Sequence, residues 1–153
     1  MSDLTQANKI TERFDALLKS IAPTQRRQLA REIGKKLAQS NRSRIQKQQN
    51  PDGTAFAPRK KRIKTKKGKI KRNAMFKKLR TARFMKIVAN ANGVSVGYKG
   101  QTAHIASRHQ FGKEGFVDKK KGIKHKYEQR ELLGFCDQDL ETVEDEILRA
   151  LSN

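Results

Sequence analysis

The chain has no tryptophan, two tyrosines, three prolines and one cysteine in 153 residues. A single thiol cannot close an internal disulfide and offers a metal only one thiolate, so a disulfide framework is excluded and a reducing compartment is expected. Cys136 reads instead as a small, half-buried apolar residue. No stretch approaches the roughly 18 consecutive apolar residues of a spanning helix, and the opening MSDLTQANK has no apolar signal core. A membrane is therefore the weakest of the partners to consider, and the chain is expected to begin in the cytosol.

Negative charge is scarcest where it would be most useful. From Gly53 to Lys113 there is no Asp or Glu in 61 residues, against 18 Lys and Arg, so that segment alone holds +18 of the formal net +21. Outside it, 18 basic and 15 acidic residues nearly balance. Ten of the cations crowd into fourteen residues: Arg59, Lys60, Lys61, Arg62, Lys64, Lys66, Lys67, Lys69, Lys71 and Arg72. Positive potential of this density destabilises a compact fold by self-repulsion and is retained where a polyanion or an acidic protein surface neutralises it. It exceeds what solubility requires, so a definite electrostatic partner is expected for this segment.

The core is expected to be modest. Leu, Ile, Val and Phe number 33, only slightly above the level of roughly 20% below which highly charged chains tend toward disorder. The length suggests one domain over residues 1–153. It divides into a helical arm (1–49), a basic loop (50–72) that is ordered poorly without a partner, and an α+β core (73–153).

Leu4, Ala7, Ile10, Phe14, Leu17, Leu18 and Ile21 recur at spacings of three and four, laying one apolar stripe along a first helix that Ser2 or Asp3 caps. Pro23 ends it and suits the first turn of a second helix, Thr24 to about Gln49, with Leu29, Ile33, Leu37 and Ile45 on its stripe. Its outer half, Asn41 to Gln49, is polar enough to be expected to project. Asn50-Pro51-Asp52-Gly53 then stops the helix, since the residue before proline is driven out of the helical region and Asp-Gly supplies turn chemistry. Asn73 is expected to cap a helical turn through Leu79. Phe84 to Asn90 and Val94 to Tyr98 read as strands joined at Asn92-Gly93. Two strands are marginal in water, so more are expected from Thr54 to Phe56, Ile123 to Tyr127 or a neighbouring copy. Thr102 to Arg108 reads as a short helix with Ile105 inward, stopped by Gly112, and Lys113 to Glu128 as a loop with a brief strand at Ile123. A last helix, capped by Asp137 or Asp139, sets Leu140, Val143, Ile147, Leu148 and Leu151 on one side against the sheet.

Catalysis finds little support. His104 and His109 stand five apart with no acidic residue nearby to orient them, and adding His125 and Cys136 gives no metal-ligand spacing. Carboxylates for acid and base work would have to come from Glu12 and Asp15 or from Glu141, Glu144, Asp145 and Glu146, which occupy helix-surface positions. Gly97, Gly100 and Gly112 are too dispersed to cradle a phosphate. Neither an enzyme nor a cofactor or metal site is expected.

Four blocks in order carry a resemblance: Asn50 to Arg59, Met75 to Arg83, His109-Gln110-Phe111-Gly112 and Arg130-Glu131-Leu132-Leu133-Gly134-Phe135. Together they resemble the phage virion morphogenesis family, the tail-completion proteins of contractile-tailed bacteriophages, over essentially the whole chain. The resemblance implies a structural virion protein acting at the tail end that joins the filled head, in a ring of its own copies. The neighbours it implies are tail-tube or tail-terminator proteins and head-completion or connector proteins. One departure is Cys136, where Ser or Thr is expected before the last helix. Asn50, Pro51, Asp52, Gly53, His109 and Gly112 then read as turn formers, with Leu132, Leu133 and Phe135 in the core. The basic residues Arg59 to Arg72 become the contact element, reaching either packaged DNA or an acidic face of a neighbouring ring, with Phe56, Ile63 and Ile70 as apolar anchors. The alternative is a free nucleic-acid-binding protein, for which the charge is the whole argument.

Overall fold

The computed structural model describes residues 2–60 and 74–153, with the backbone alone for residues 2–7 and Ile10. Its elements are α1 (Ser2–Ser20), α2 (Pro23–Gln46), β1 (Lys86–Asn90), β2 (Gly93–Gly97), α3 (Gly100–Gln110), β3 (Glu114–Asp118), β4 (Ile123–Lys126) and α4 (Asp137–Ser152), an α+β fold. The central element is α2, which receives the β1–β2 hairpin and α4. Pro23 opens it at a position where the missing N–H costs nothing.

The outer half of α2 does not project. Asn41 is 4% exposed and Ile45 is fully buried, in a core with Ala38, Phe56, Leu79, Met85, Ala106 and Leu132. The polar residues there are buried because they have partners: Asn41 donates to the Leu37 carbonyl, and Arg44 donates to Asp139 at 2.6 Å. Phe56 belongs to this core and is therefore not an exposed anchor.

Lys86 to Asn90 pairs antiparallel with Gly93 to Gly97, with Asn90 opposite Gly93. The two loop residues are thus Ala91 and Asn92, one place earlier than expected. Asn90 drives the turn, its side-chain oxygen accepting the N–H groups of Asn92 (2.8 Å) and Gly93 (3.0 Å). Among the described residues no third strand joins this sheet; α2 covers it instead. Gly34 makes the approach possible, since a Cβ there would meet Ile87 Cγ2 at 2.5 Å and Val94 Cγ2 at 2.7 Å. The segment Thr54 to Phe56 makes only a single bridge, Ala55 to Gln49.

Several expectations give way to local geometry. Lys77 to Phe84 is a run of turns, not helix, and Phe76 sits at φ +64, which helix does not allow; Asn73 lies outside the described residues. The third helix starts two residues early, and its register buries Ala106 while Ile105 faces solvent. A second hairpin replaces the expected loop, β3 pairing with β4 around an irregularity at Phe116/Asp118. The last helix packs chiefly on α2, not on a sheet, because Arg44 draws Asp139 inward; Leu140 and Leu148 consequently face out.

Candidate functional site

The four blocks that carried the resemblance meet in space. At the end of α2, Gln48 adopts φ +56, its N–H bonding to the Ile45 carbonyl, and the chain turns back through Asn50 to Gly53. Asn50 N–H donates to Thr54 O (2.8 Å), Gly53 N–H to Asn50 O (3.0 Å), and Thr54 N–H to Asp52 Oδ1 (2.9 Å). The Thr54 hydroxyl and N–H hold the Asp52 carboxyl below its usual range. Gly53 at φ +86 closes the turn with a conformation that favours glycine.

This turn is fastened to residues 130–134, a stretch of backbone with no ladder of its own. Asn50 Oδ1 accepts Glu131 N–H at 2.9 Å, and Pro51 lies against Gly134 so closely that a Cβ there would meet its Cγ at 2.5 Å. From α3, the Gln110 amide both accepts Leu133 N–H (3.0 Å) and donates to Leu133 O (2.8 Å). From α2, Asn41 Oδ1 accepts Gly134 N–H (3.1 Å) and Arg44 donates to Gly134 O (2.6 Å). Buried backbone groups need such partners, and three elements supply them here through side chains.

Arg130 extends the same lattice to the basic segment. Its guanidinium is buried without a carboxylate, donating from Nε to Ala57 O (2.7 Å) and from Nη2 to Pro58 O (3.0 Å), while its N–H donates to His109 O (2.7 Å). Burial lowers its pKa, offset in part by the Glu128 carboxylate. On the returning side Gln48 grips Met75, accepting its N–H (2.7 Å) and donating to its carbonyl (2.9 Å). The Gln48 carbonyl accepts Phe56 N–H at 2.7 Å. One residue therefore holds both roots of the segment.

An aromatic row runs beneath these roots. Phe56 meets Phe76 edge-on at 5.9 Å, Phe76 meets His109 at 4.7 Å, His109 meets Tyr127 at 5.0 Å and Tyr127 meets His125 at 5.2 Å. Burial, then the Arg130 and Arg108 charges, push the His109 pKa down to about 4, so the ring is neutral near pH 7 and packs as an aromatic. Gly112, at φ +59, turns the chain after α3, and a Cβ there would crowd Tyr127 O at 3.3 Å.

Of the ten basic residues singled out, Arg59 and Lys60 are exposed at the root, with Lys60 Nζ 3.4 Å from His125 Nδ1. Lys61, Arg62, Lys64, Lys66, Lys67, Lys69, Lys71 and Arg72, like Ile63 and Ile70, lie outside the described residues. Sequence reasoning missed Gln48, Asn41, Arg44, Gln110 and Arg130 as organisers. Arg130 and Gln110 stood inside quoted blocks, but nothing in periodicity separates a polar side chain that braces backbone from one that faces water. Of the acidic residues of α4 considered for acid–base work, Glu141, Glu144 and Asp145 are exposed, whereas the Glu146 side chain is 13% exposed and pairs with Lys36 and, at 3.3 Å, Arg149. Among the described residues no group of three or more His, Cys, Asp or Glu is placed to hold a metal, and no helix is long and apolar enough to cross a membrane.

The arrangement holds the described residues on both sides of the cationic segment, Phe56 to Pro58 and Met75, on one hydrogen-bonded frame. Comparison with known proteins agrees with the blocks. The phage virion morphogenesis family matches residues 5–152. Tail completion protein S of Escherichia phage P2 is 39% identical over 150 residues, covering 97% of this chain and 99% of that protein. No solved structure matches. A match of this extent, on a chain whose four signature blocks converge in one lattice, places the protein in the phage virion morphogenesis family.

Proposed function

We propose that this protein is a structural component of a phage tail that completes the tail and joins it to the head, as a subunit of a ring at the head-proximal end. It is made in the host cytoplasm and ends in the virion. The observation that carries this reading is the near end-to-end likeness to tail completion protein S. The pinned roots add the contact element: a segment with ten cations in fourteen residues held on a frame built from side-chain braces. Within the assembly its expected neighbours are copies of itself, a tail-tube or tail-terminator protein and a head-completion or connector protein, with packaged DNA as the other acceptor of its charge.

Two experiments test this. Disrupting the gene should give headless tails and tailless filled heads, and the protein should be recovered in purified particles in a small fixed copy number. A free nucleic-acid binder would instead copurify with DNA or RNA and be missing from particles. The combined change of Lys60, Lys61, Lys64, Lys66 and Lys67 to Gln separates the two acceptors. If six to ten cations meet phosphates, affinity for duplex should drop on the order of 10³ to 10⁵ between 50 and 200 mM salt, and the variant should lose DNA retention. If they meet protein, the variant should slow joining and leave finished particles stable in salt, since rim charges mainly set encounter rate. Normal particles formed at the normal rate would remove the segment from both roles.

A further inference from the structure

Two of the exposed surfaces that the frame does not use complement each other. The first is the outer face of α4. Leu140 and Leu148, 52% and 53% exposed, lie two turns apart on it, with Glu144 between them and Glu141 and Asp145 beside them, all exposed. In a chain of net charge +21 such carboxylates should be easily matched, yet among the described residues ion pairs reach only Glu32, Asp139 and Glu146. Among the described residues this helix face is therefore apolar and its carboxylates have no ion-pair partner.

The second surface is the β3–β4 ribbon. Its inner side is fixed: Gly115 lies on Arg108, where a Cβ would meet Nε at 2.8 Å, and Tyr127 N–H closes the base on Lys113 O at 3.2 Å. Asp118 forms the tip by accepting the N–H groups of Lys120 and Lys121. The ribbon exposes Val117 (62%), Phe116 and Ile123 together with Lys119, Lys121 and Lys124. Lys124 Nζ sits 5.3 Å from the Phe116 ring centroid. Apolar groups of this size interspersed with lysines suit a protein surface better than phosphates, which recognise the cations alone.

We propose that the ribbon of one copy docks across the outer face of α4 in a second copy, lysines against Glu141, Glu144 and Asp145 and the ribbon's apolar residues against Leu140 and Leu148. Repeated from copy to copy, the contact is head-to-tail and generates a ring when its rotation closes; two copies exchanging both contacts would stop at a dimer. This deepens the ring reading proposed above and rests on it.

The test uses the full chain in two charge-reversed forms. One carries Glu141→Lys, Glu144→Lys and Asp145→Lys; the other carries Lys119→Glu, Lys121→Glu and Lys124→Glu. Analytical ultracentrifugation should show the wild-type protein self-associating, less so in high salt, and each variant weakened about 100-fold or more by like-charge contact. Mixing the variants should restore assembly, because each reversed patch then finds its opposite on the other protein. A misfolded variant would not be rescued by mixing, and circular dichroism identifies it; in that case single reversals at Glu144 and Lys121 take the place of the triples. Monomeric wild type at the highest soluble concentration, undiminished association of either variant, or folded variants that fail to reassemble when mixed would overturn the contact. Loss of DNA binding by the ribbon variant with unchanged association would assign the ribbon to nucleic acid and overturn it too. Absence of the protein from purified particles removes the virion reading and leaves the measured contact between copies standing, so the two failures are distinguishable.

Discussion

At the scale of single residues, Asn50 does more than shape a turn. Its amide oxygen accepts Glu131 N–H while its nitrogen donates to the Thr54 hydroxyl at 3.1 Å. Asn50→Ala should lower stability by about 1–2 kcal/mol, because the Glu131 N–H is left without its acceptor; Asn50→Asp, which keeps that acceptor, should cost less in the same denaturant titration. Gly134→Ala should cost about 1–3 kcal/mol through collision with Pro51, and Pro51→Ala in the same chain should recover part of it in a double-mutant cycle. His109 gives a pH signature. Its folded pKa, about 4, lies below the ordinary 6.5, so between these values the unfolded chain binds a proton that the folded one does not. Stability contributed by the neutral ring is complete above pH 6.5 and is lost as pH falls toward 4. Replacing His109 with Phe, which keeps the ring against Phe76 and Tyr127, should flatten that part of the stability profile. Asn50 and Gly53 announced their turn in the sequence because proline restricts the residue before it and glycine permits the positive φ that the turn needs. Arg130 and Gln48 announced nothing, since their partners lie 73 and 27 residues away.

Among the elements, α2 carries the load. Arg44 and Asp139 join it to α4 in a pair with side chains 11% and 5% exposed. Burial raises the Asp139 pKa, but Ser40, the Cys136 N–H and Arg44 outweigh it and hold the carboxylate low. The Cys136 N–H bonds to this same carboxylate at 3.0 Å, so the helix start is braced by the acid three residues on, and a serine or threonine is not needed before it. Asp139→Asn should destabilise the fold by about 3 kcal/mol, because the Arg44 charge stays buried without its partner, as thermal unfolding would show. Joint replacement of Arg44 by Met and Asp139 by Leu should cost less than either single change. Apolar spacing located α1, α2 and α4, since such spacing survives in sequence, whereas α3 was placed with the wrong residue inward and the helical turn expected through Leu79 is a run of turns. The side of α4 that faces inward was not legible: an aspartate, not a leucine, decides it. Nor was β3, whose Glu, two exposed apolar residues and Asp give no alternation to read. The β1–β2 hairpin was legible from Val94, Val96 and Tyr98, but its cover was not, because that depends on Gly34, an ordinary glycine until Ile87 is placed beside it.

At the scale of the whole molecule, the described frame holds the residues on both sides of the stretch proposed as the contact element. Exchanging residues 61–73 for an uncharged Gly/Ser stretch of equal length should leave the unfolding midpoint nearly unchanged, because Gln48 and Arg130 hold residues on either side of the exchange. The same protein should fail to support head-to-tail joining in a complementation assay. If the midpoint collapses instead, the segment belongs to the frame. Because one glutamine holds both Phe56 and Met75, the frame on either side of residues 61–73 tolerates a change in their number, since doubling a loop's length adds only about 0.6 kcal/mol of closure cost. On the reading proposed above, related proteins can then differ in this one stretch, and a fluorescent or affinity label inserted there is expected to report on the head–tail joint with the unfolding midpoint unchanged.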